Sequence, residues 1–181
     1  MKRLIVLISV TFLILGFTGT AGALPMNFGF ETGDFSYWNK SISGDWAKVV
    51  TSHSDYGPKA GNYFAKLKAV GTEGTQIYQN FSIGADETIS GWAAFNWGDY
   101  PDYWDSAWVK IYEGTDLSAN PLYTAWNESG ANPYNNDPDP NDHYPEYYNV
   151  PWAQWSWKAP STVTGTYTIA YGVANTVDGA W

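Results

Sequence analysis

Between Leu24 and Trp181 no stretch keeps apolar residues at the i, i+3, i+4, i+7 spacing of an amphipathic helix. Short runs of β-branched and aromatic residues recur instead, separated by clusters of Gly, Asn, Asp and Pro. That pattern calls for an all-β fold. Strands are expected near 26–30, 46–52, 62–69, 75–83, 87–96, 106–113, 121–126, 153–158 and 165–174. Strands in this number and at this spacing make a two-sheet antiparallel β-sandwich.

Period-two alternation assigns faces to the central runs. In 87–96, Ile89, Ala93 and Phe95 share one side while Ser90, Trp92 and Asn96 share the other. In 106–113, Ala107, Val109 and Ile111 oppose Trp108, Lys110 and Tyr112. If both runs belong to one sheet, Trp92 and Trp108 share an outward face. The linking segment "WGDYPDYWD" (97–105) then overhangs that face with four more rings. The alternative is that a loop or neighbouring strand roofs these rings as a second small core. With 11 Trp and 14 Tyr, the chain has more rings than one core of this size requires, so some belong near the surface. Trp155 and Trp157 alternate with Gln154, Ser156 and Lys158 and read as core.

The N-terminus has a separate reading. Met1-Lys2-Arg3 is positive, the apolar run from Leu4 to Phe17 is short for a bilayer span, and Ala21-Gly22-Ala23 offers a small-x-small cleavage pattern. Residues 1–23 are therefore expected to be a signal-peptide helix, and 24–181 a single β-sandwich domain. The competing reading, an uncleaved anchor, needs about 20 apolar residues. Removing 23 of the 181 residues leaves 158, enough for one core without staples. The chain has no Cys, so disulfides play no part.

Beyond residue 23 there are seven Lys and no Arg against 18 Asp and Glu, a balance of −11. No basic cluster exists to displace counterions from a phosphate backbone, which argues against nucleic acid as partner. The same balance disfavours anionic membranes, and no membrane insertion is expected after signal cleavage. Oligomeric state is left open.

The opening "NFGFETGDFSYWN" (27–39) resembles the start of galactose-binding-like jelly-roll domains, found in carbohydrate-binding modules and prokaryotic surface proteins. Later segments follow that family's order: "GNYFAKL" (61–67), "IYQNFSI" (77–83), "TISGWAAF" (88–95), "DSAWVKIYEG" (105–114), "PWAQWSW" (151–157) and "GTYTIAYGVANTVD" (165–178). The likeness is greatest to exported PEP-CTERM-type surface proteins. It implies a jelly-roll sandwich and a structural calcium site in which Glu31 gives a carboxylate and Gly33 its backbone carbonyl. It also implies a further strand after "VANTVDGAW" (173–181), so the domain is expected to lack its last strand.

Other chemistry is weaker. "DPDPND" (137–142) spaces Asp137, Asp139 and Asn141 like the start of an EF-hand loop, but Asp142 stands where that loop needs Gly and Tyr148 where it needs Glu. His53 lies between two serines and before Asp55, yet neighbours along a strand cannot converge as a catalytic triad. No acid pair has a glycosidase context. Three triplets, beginning at Asn39, Asn80 and Asn127, match the N-glycosylation acceptor.

The expected function is a non-catalytic, secreted or cell-surface module that binds a polysaccharide or glycan by stacking. The candidate residues are Trp92, Trp97, Trp104, Trp108 and Trp126, with Tyr100 and Asp99 as polar edges. The alternatives are a structural surface or matrix protein without a soluble ligand and, third, a polysaccharide-active enzyme.

Overall fold

The computed structural model describes residues 5–9, 25–41, 46–54, 56–69, 74–97, 105–129, 148–161 and 165–175. Every regular element among them is a strand: β1 (Ile5–Ser9), β2 (Asn39–Lys40), β3 (Ala47–Val50), β4 (Phe64–Leu67), β5 (Thr75–Ile83), β6 (Thr88–Trp97), β7 (Asp105–Glu113), β8 (Tyr123–Ser129), β9 (Tyr148–Lys158) and β10 (Gly165–Asn175). They form two five-stranded sheets, ordered β3-β4-β1-β6-β9 and β2-β5-β10-β7-β8. All pairings are antiparallel. The chain is thus the expected all-β jelly-roll sandwich.

The expected faces hold on both central runs. Ile89, Ala93 and Phe95 of β6 meet Ala107, Val109 and Ile111 of β7 in one core, which also takes Trp155 and Trp157. Inside it, Trp155 meets Tyr171 edge-on at 6.0 Å and Trp157 meets Tyr167 at 4.9 Å. Gly91 leaves room for the Trp155 ring, which would lie 2.7 Å from any Cβ placed there. β10 is buried on both faces from Tyr167 onward. Its inward Tyr167, Ile169, Tyr171 and Val173 fill the core, while small residues alternate with them on the outer side, which lets side chains from β7 lie close over the strand.

The opening stretch departs from expectation, because 26–30 is a run of turns and not a strand. Asn27 and Phe30 have φ of 49° and 61°, outside the β region. The Asn27 amide donates to the carbonyls of Asp34 and Ser36, and its oxygen accepts from the Thr32 N–H. The inward side is nevertheless kept, since Phe28 and Phe30, two residues apart, are both buried. They stack on Trp38 at 5.9 and 5.2 Å, so the coil plugs the sandwich with three rings.

The first sheet has two features that the second lacks. Its strands β4 and β6 do not pair with each other. Ile5–Ser9 stands between them, placing Val6 opposite Leu67 and Phe95, and Ile8 opposite Ala65 and Ala93. These five residues belong to the segment 1–23 expected to be removed as a signal peptide, most of which lies outside the described residues. The first sheet also carries a roof. Tyr56, Phe64 and Ala94 are buried as a separate cluster, with Val50 and Trp152 packed on it. The Tyr56 hydroxyl donates to the Val150 carbonyl and the Trp152 indole N–H to the Gly57 carbonyl, which tie the segment after β3 down over the sheet.

Candidate functional site

The expectation that Trp92 and Trp108 share a face rested on β6 and β7 lying in one sheet. They lie in different sheets. Strand order is set by pairing far along the chain, which alternation within one strand does not report. Trp92 therefore looks out from the first sheet, half-buried, with the Lys59 ammonium 4.8 Å from its ring centroid. Trp108 looks out from the opposite side of the molecule. Trp126 is a correction of another kind: it is buried and belongs to the main core, so its ring is not available for stacking. The register shift between Val109 and Lys110 changes its side, since it sets Trp126 opposite the inward Val109. Trp97 ends β6. Asp99, Tyr100 and Trp104 lie outside the described residues, as does "DPDPND".

Around Trp108 the register places side chains in rows across the outer face of the second sheet. One row runs Gln76, Gly172, Trp108, Asn127; the next runs Tyr78, Ala170, Lys110, Thr124; the third holds Asn80, Thr168 and Tyr112. The Trp108 indole lies over Gly172, where an added Cβ would fall inside the ring. The absence of a side chain at Gly172 thus lets the indole lie on the sheet. The Lys110 ammonium stands 4.6 Å from the ring centroid, a cation–π contact that steadies the ring. Burial lowers the Lys110 pKa and raises that of Tyr112. The result is a half-buried aromatic platform with hydrogen-bonding side chains on either side. Tyr78 and Gln76 were missed by the sequence reading, although the alternation of "TQIYQNFSI" (75–83) puts both on the polar side of their strand.

Glu31 and Gly33 were expected to hold calcium. Calcium takes six to eight oxygens. The Glu31 carboxylate instead accepts N–H donors: the Asn62 backbone at 3.0 and 3.1 Å, the Asn62 side chain at 3.3 Å and the Tyr63 backbone at 3.3 Å. Those donors are of the wrong polarity for a cation. Gly61 makes the arrangement possible, because at φ 69° it brings the turn against the carboxylate with no side chain in the way. Asp34 is held by Thr32 and Ser36; hydrogen bonds, first from Ser36 and then from Thr32, lower its pKa. The described groups around Glu31 do not fit calcium. They fit a clasp between the opening coil and the turn before β4.

His53 exchanges backbone hydrogen bonds with Tyr56, both at 2.9 Å, in the roof of the first sheet. Burial, and then the charge of Lys66, lower its pKa. Its Asp55 neighbour lies outside the described residues.

No family model and no curated protein matches the chain. Among solved structures, it aligns with the carbohydrate-binding module TmCBM61, solved in complex with β-1,4-galactotriose. The identity is 17%, covering 86% of this chain and 90% of that one, with a TM-score of 0.33. It also aligns with the enzymatically active domain of bacteriophage CBA120 tailspike protein 4, at 12% identity over 86% of this chain and 20% of that one, with a TM-score of 0.29. Both superpositions are loose.

Proposed function

We propose that the chain is a non-catalytic glycan-binding module, exported to the cell surface or medium after removal of residues 1–23, which takes Ile5–Ser9 out of the first sheet, and that its binding surface is the outer face of the second sheet, to which those residues contribute no strand. The observation that carries this reading is the Trp108 indole lying over Gly172 between hydrogen-bonding neighbours. A pyranose ring has one apolar face. Laid on the indole, with the Lys110 ammonium displaced from over the ring to its rim, it releases water from both surfaces, while Gln76, Asn127 and Lys110 meet its hydroxyls. Trp92 is secondary, since its sheet is roofed beside it. Export is supported by the positive start, the apolar run and the small-x-small triplet at 21–23.

The test is retention of the protein on a glycan array and in affinity gels. Trp108→Ala is expected to abolish retention and Trp92→Ala to leave most of it. Indifference of the unaltered protein to every glycan, with self-association in its place, would move the reading to a structural surface protein. Turnover of a bound polysaccharide, lost on changing one acid, would make it an enzyme.

A further inference from the structure

One corner of the second sheet has an open edge. β2 pairs with only Tyr78 and Ile77 of β5, so the rest of that edge borders a groove of about 370 Å³. This lies at the low end of ligand-pocket volumes, about 300–1,000 Å³. Met26 and Tyr37 from the opening coil and Asn39 from β2 line one side. Asn80 and Ser82 of β5 and Thr166 of β10 line the other. None of the lining residues is charged.

Three features mark the groove as built for a ligand. Met26 and Tyr37 are 55% and 59% exposed, the two most exposed of the large apolar side chains among the described residues, and both stand on this groove. Tyr37 has φ 71°, in the left-handed region, a costly conformation for a residue with a side chain. Gln79 holds it there, its amide donating to the carbonyls of Tyr37 at 2.8 Å and Met26 at 2.9 Å. Gln79 is itself 4% exposed and lines the groove, and its other amide atom, Oε1, has no hydrogen-bond partner. Gln79 is thus a positioning residue, which holds the Tyr37 and Met26 backbone in the groove wall from beneath. Asn80, finally, has one end of its amide 2.7 Å from the Thr168 hydroxyl, whose single proton goes to the Gly114 carbonyl at 2.6 Å; the contact orients the amide and leaves its other end for a ligand.

We infer that this groove is a second sugar subsite. It takes one neutral pyranose ring against Tyr37, with hydroxyls meeting the side-chain amides of Asn80 and Asn39. This rests on the glycan-binding reading above and extends it to the class and length of the ligand. A ring lined only by amides, hydroxyls, the two aromatics Tyr37 and Phe81 and a thioether is neutral, because a carboxylated or sulfated sugar would be desolvated there with no cation to meet it. Asn80 lies four residues along β5 from Gln76 and two strands from Trp108, about 13 Å along and about 10 Å across by strand geometry. Tyr78 stands on β5 between those two positions. A ligand that fills both subsites is therefore a chain of several neutral sugars.

The experiment is calorimetric titration of the full chain, made in a host without N-glycosylation because the acceptor triplets at Asn39 and Asn80 fall in the groove. The probes are neutral β-1,4-linked hexose oligosaccharides of two and six rings and an oligogalacturonate of six rings. The neutral six-ring probe is expected to bind at least about tenfold more tightly than the two-ring probe, a step of about 1.4 kcal/mol. Tyr37→Ala and, separately, the exposed Asn39→Ala are expected to remove that gain while leaving two-ring binding unchanged. Trp108→Ala is expected to weaken both. If the unaltered protein binds the six-ring probe and Trp108→Ala abolishes it, but neither groove variant changes it, the subsite is refuted and the glycan-binding reading survives. Equal binding of the galacturonate through Tyr37 overturns the neutral assignment. No binding of any probe removes both.

Discussion

The two sheets are built from strands with the same alternation, yet they end up as different kinds of surface. The second sheet is a continuous ladder drawn from Asn39 onward. Its central strand β10 is overlain at Gly172 by the Trp108 ring, and its outer face carries the aromatic platform and the groove. The first sheet has Ile5–Ser9 at its centre, and part of its outer face is closed by Tyr56, Phe64 and Trp152. An outward tryptophan therefore means different things on the two sides. On one it is a platform; on the other it neighbours a satellite core.

The largest test of this contrast is to remove residues 1–23. The first sheet then loses the strand between β4 and β6, and hydrogen exchange is expected to show β4 and β6 amides falling from protection near the global level to that of a frayed edge. The amides of β5, β7 and β10 should keep theirs. Uniform loss across both sheets would show that the sandwich stands or falls with β1.

A smaller change probes the second sheet. Gly172→Ala puts a Cβ where the Trp108 ring lies, so the indole must lift. We expect a stability loss of about 1–3 kcal/mol in urea unfolding, as for overpacking in general, together with loss of glycan retention. Retention unchanged in a folded Gly172→Ala protein would remove Trp108 as the platform.

The smallest effect concerns the core that both sheets share. Burial raises the Tyr171 pKa well above the usual 10.0, and the indole N–H of Trp155 offsets this only in part, without meeting full hydrogen-bond geometry. A raised folded pKa means that the contribution is complete below pH 10 and is lost as pH climbs beyond it. Alkaline titration should therefore show stability falling above about pH 10. Tyr171→Phe should blunt that fall while changing stability at neutral pH by no more than about 1 kcal/mol, because the hydroxyl it removes has no full partner. A loss of several kcal/mol at pH 7 would reveal a hydrogen bond of real strength at that hydroxyl.

Much of the framework was legible in the residues. Eight of the nine expected strand regions coincide with observed strands, and the inward and outward sides of β6 and β7 follow from alternation. The miss at 26–30 has a local cause, since the positive φ of Asn27 and Phe30 turns the chain out of the β region while Phe28 and Phe30, two apart, still share the inward side. The candidate site was legible only in part. The outward place of Trp108 was legible in "SAWVKIY" (106–112), but the burial of Trp126 was not, because the register shift beside it follows from pairing with β7. Tyr37 and Gln79 carry no pattern that sets them apart along the chain.

What the linear order determined is which residues share a side of a strand, because successive side chains of an extended chain must point opposite ways. It also determined the absence of disulfides, since the chain has no Cys. Only the tertiary structure decided which sheet each strand joins and what lies over its outer face. Those are contacts between segments far apart in the chain: Ile5–Ser9 against β6, Trp108 over Gly172, Gln79 beneath Tyr37. Their free energy comes from packing and closed hydrogen bonds that form only when the whole sandwich assembles, so no local pattern encodes them.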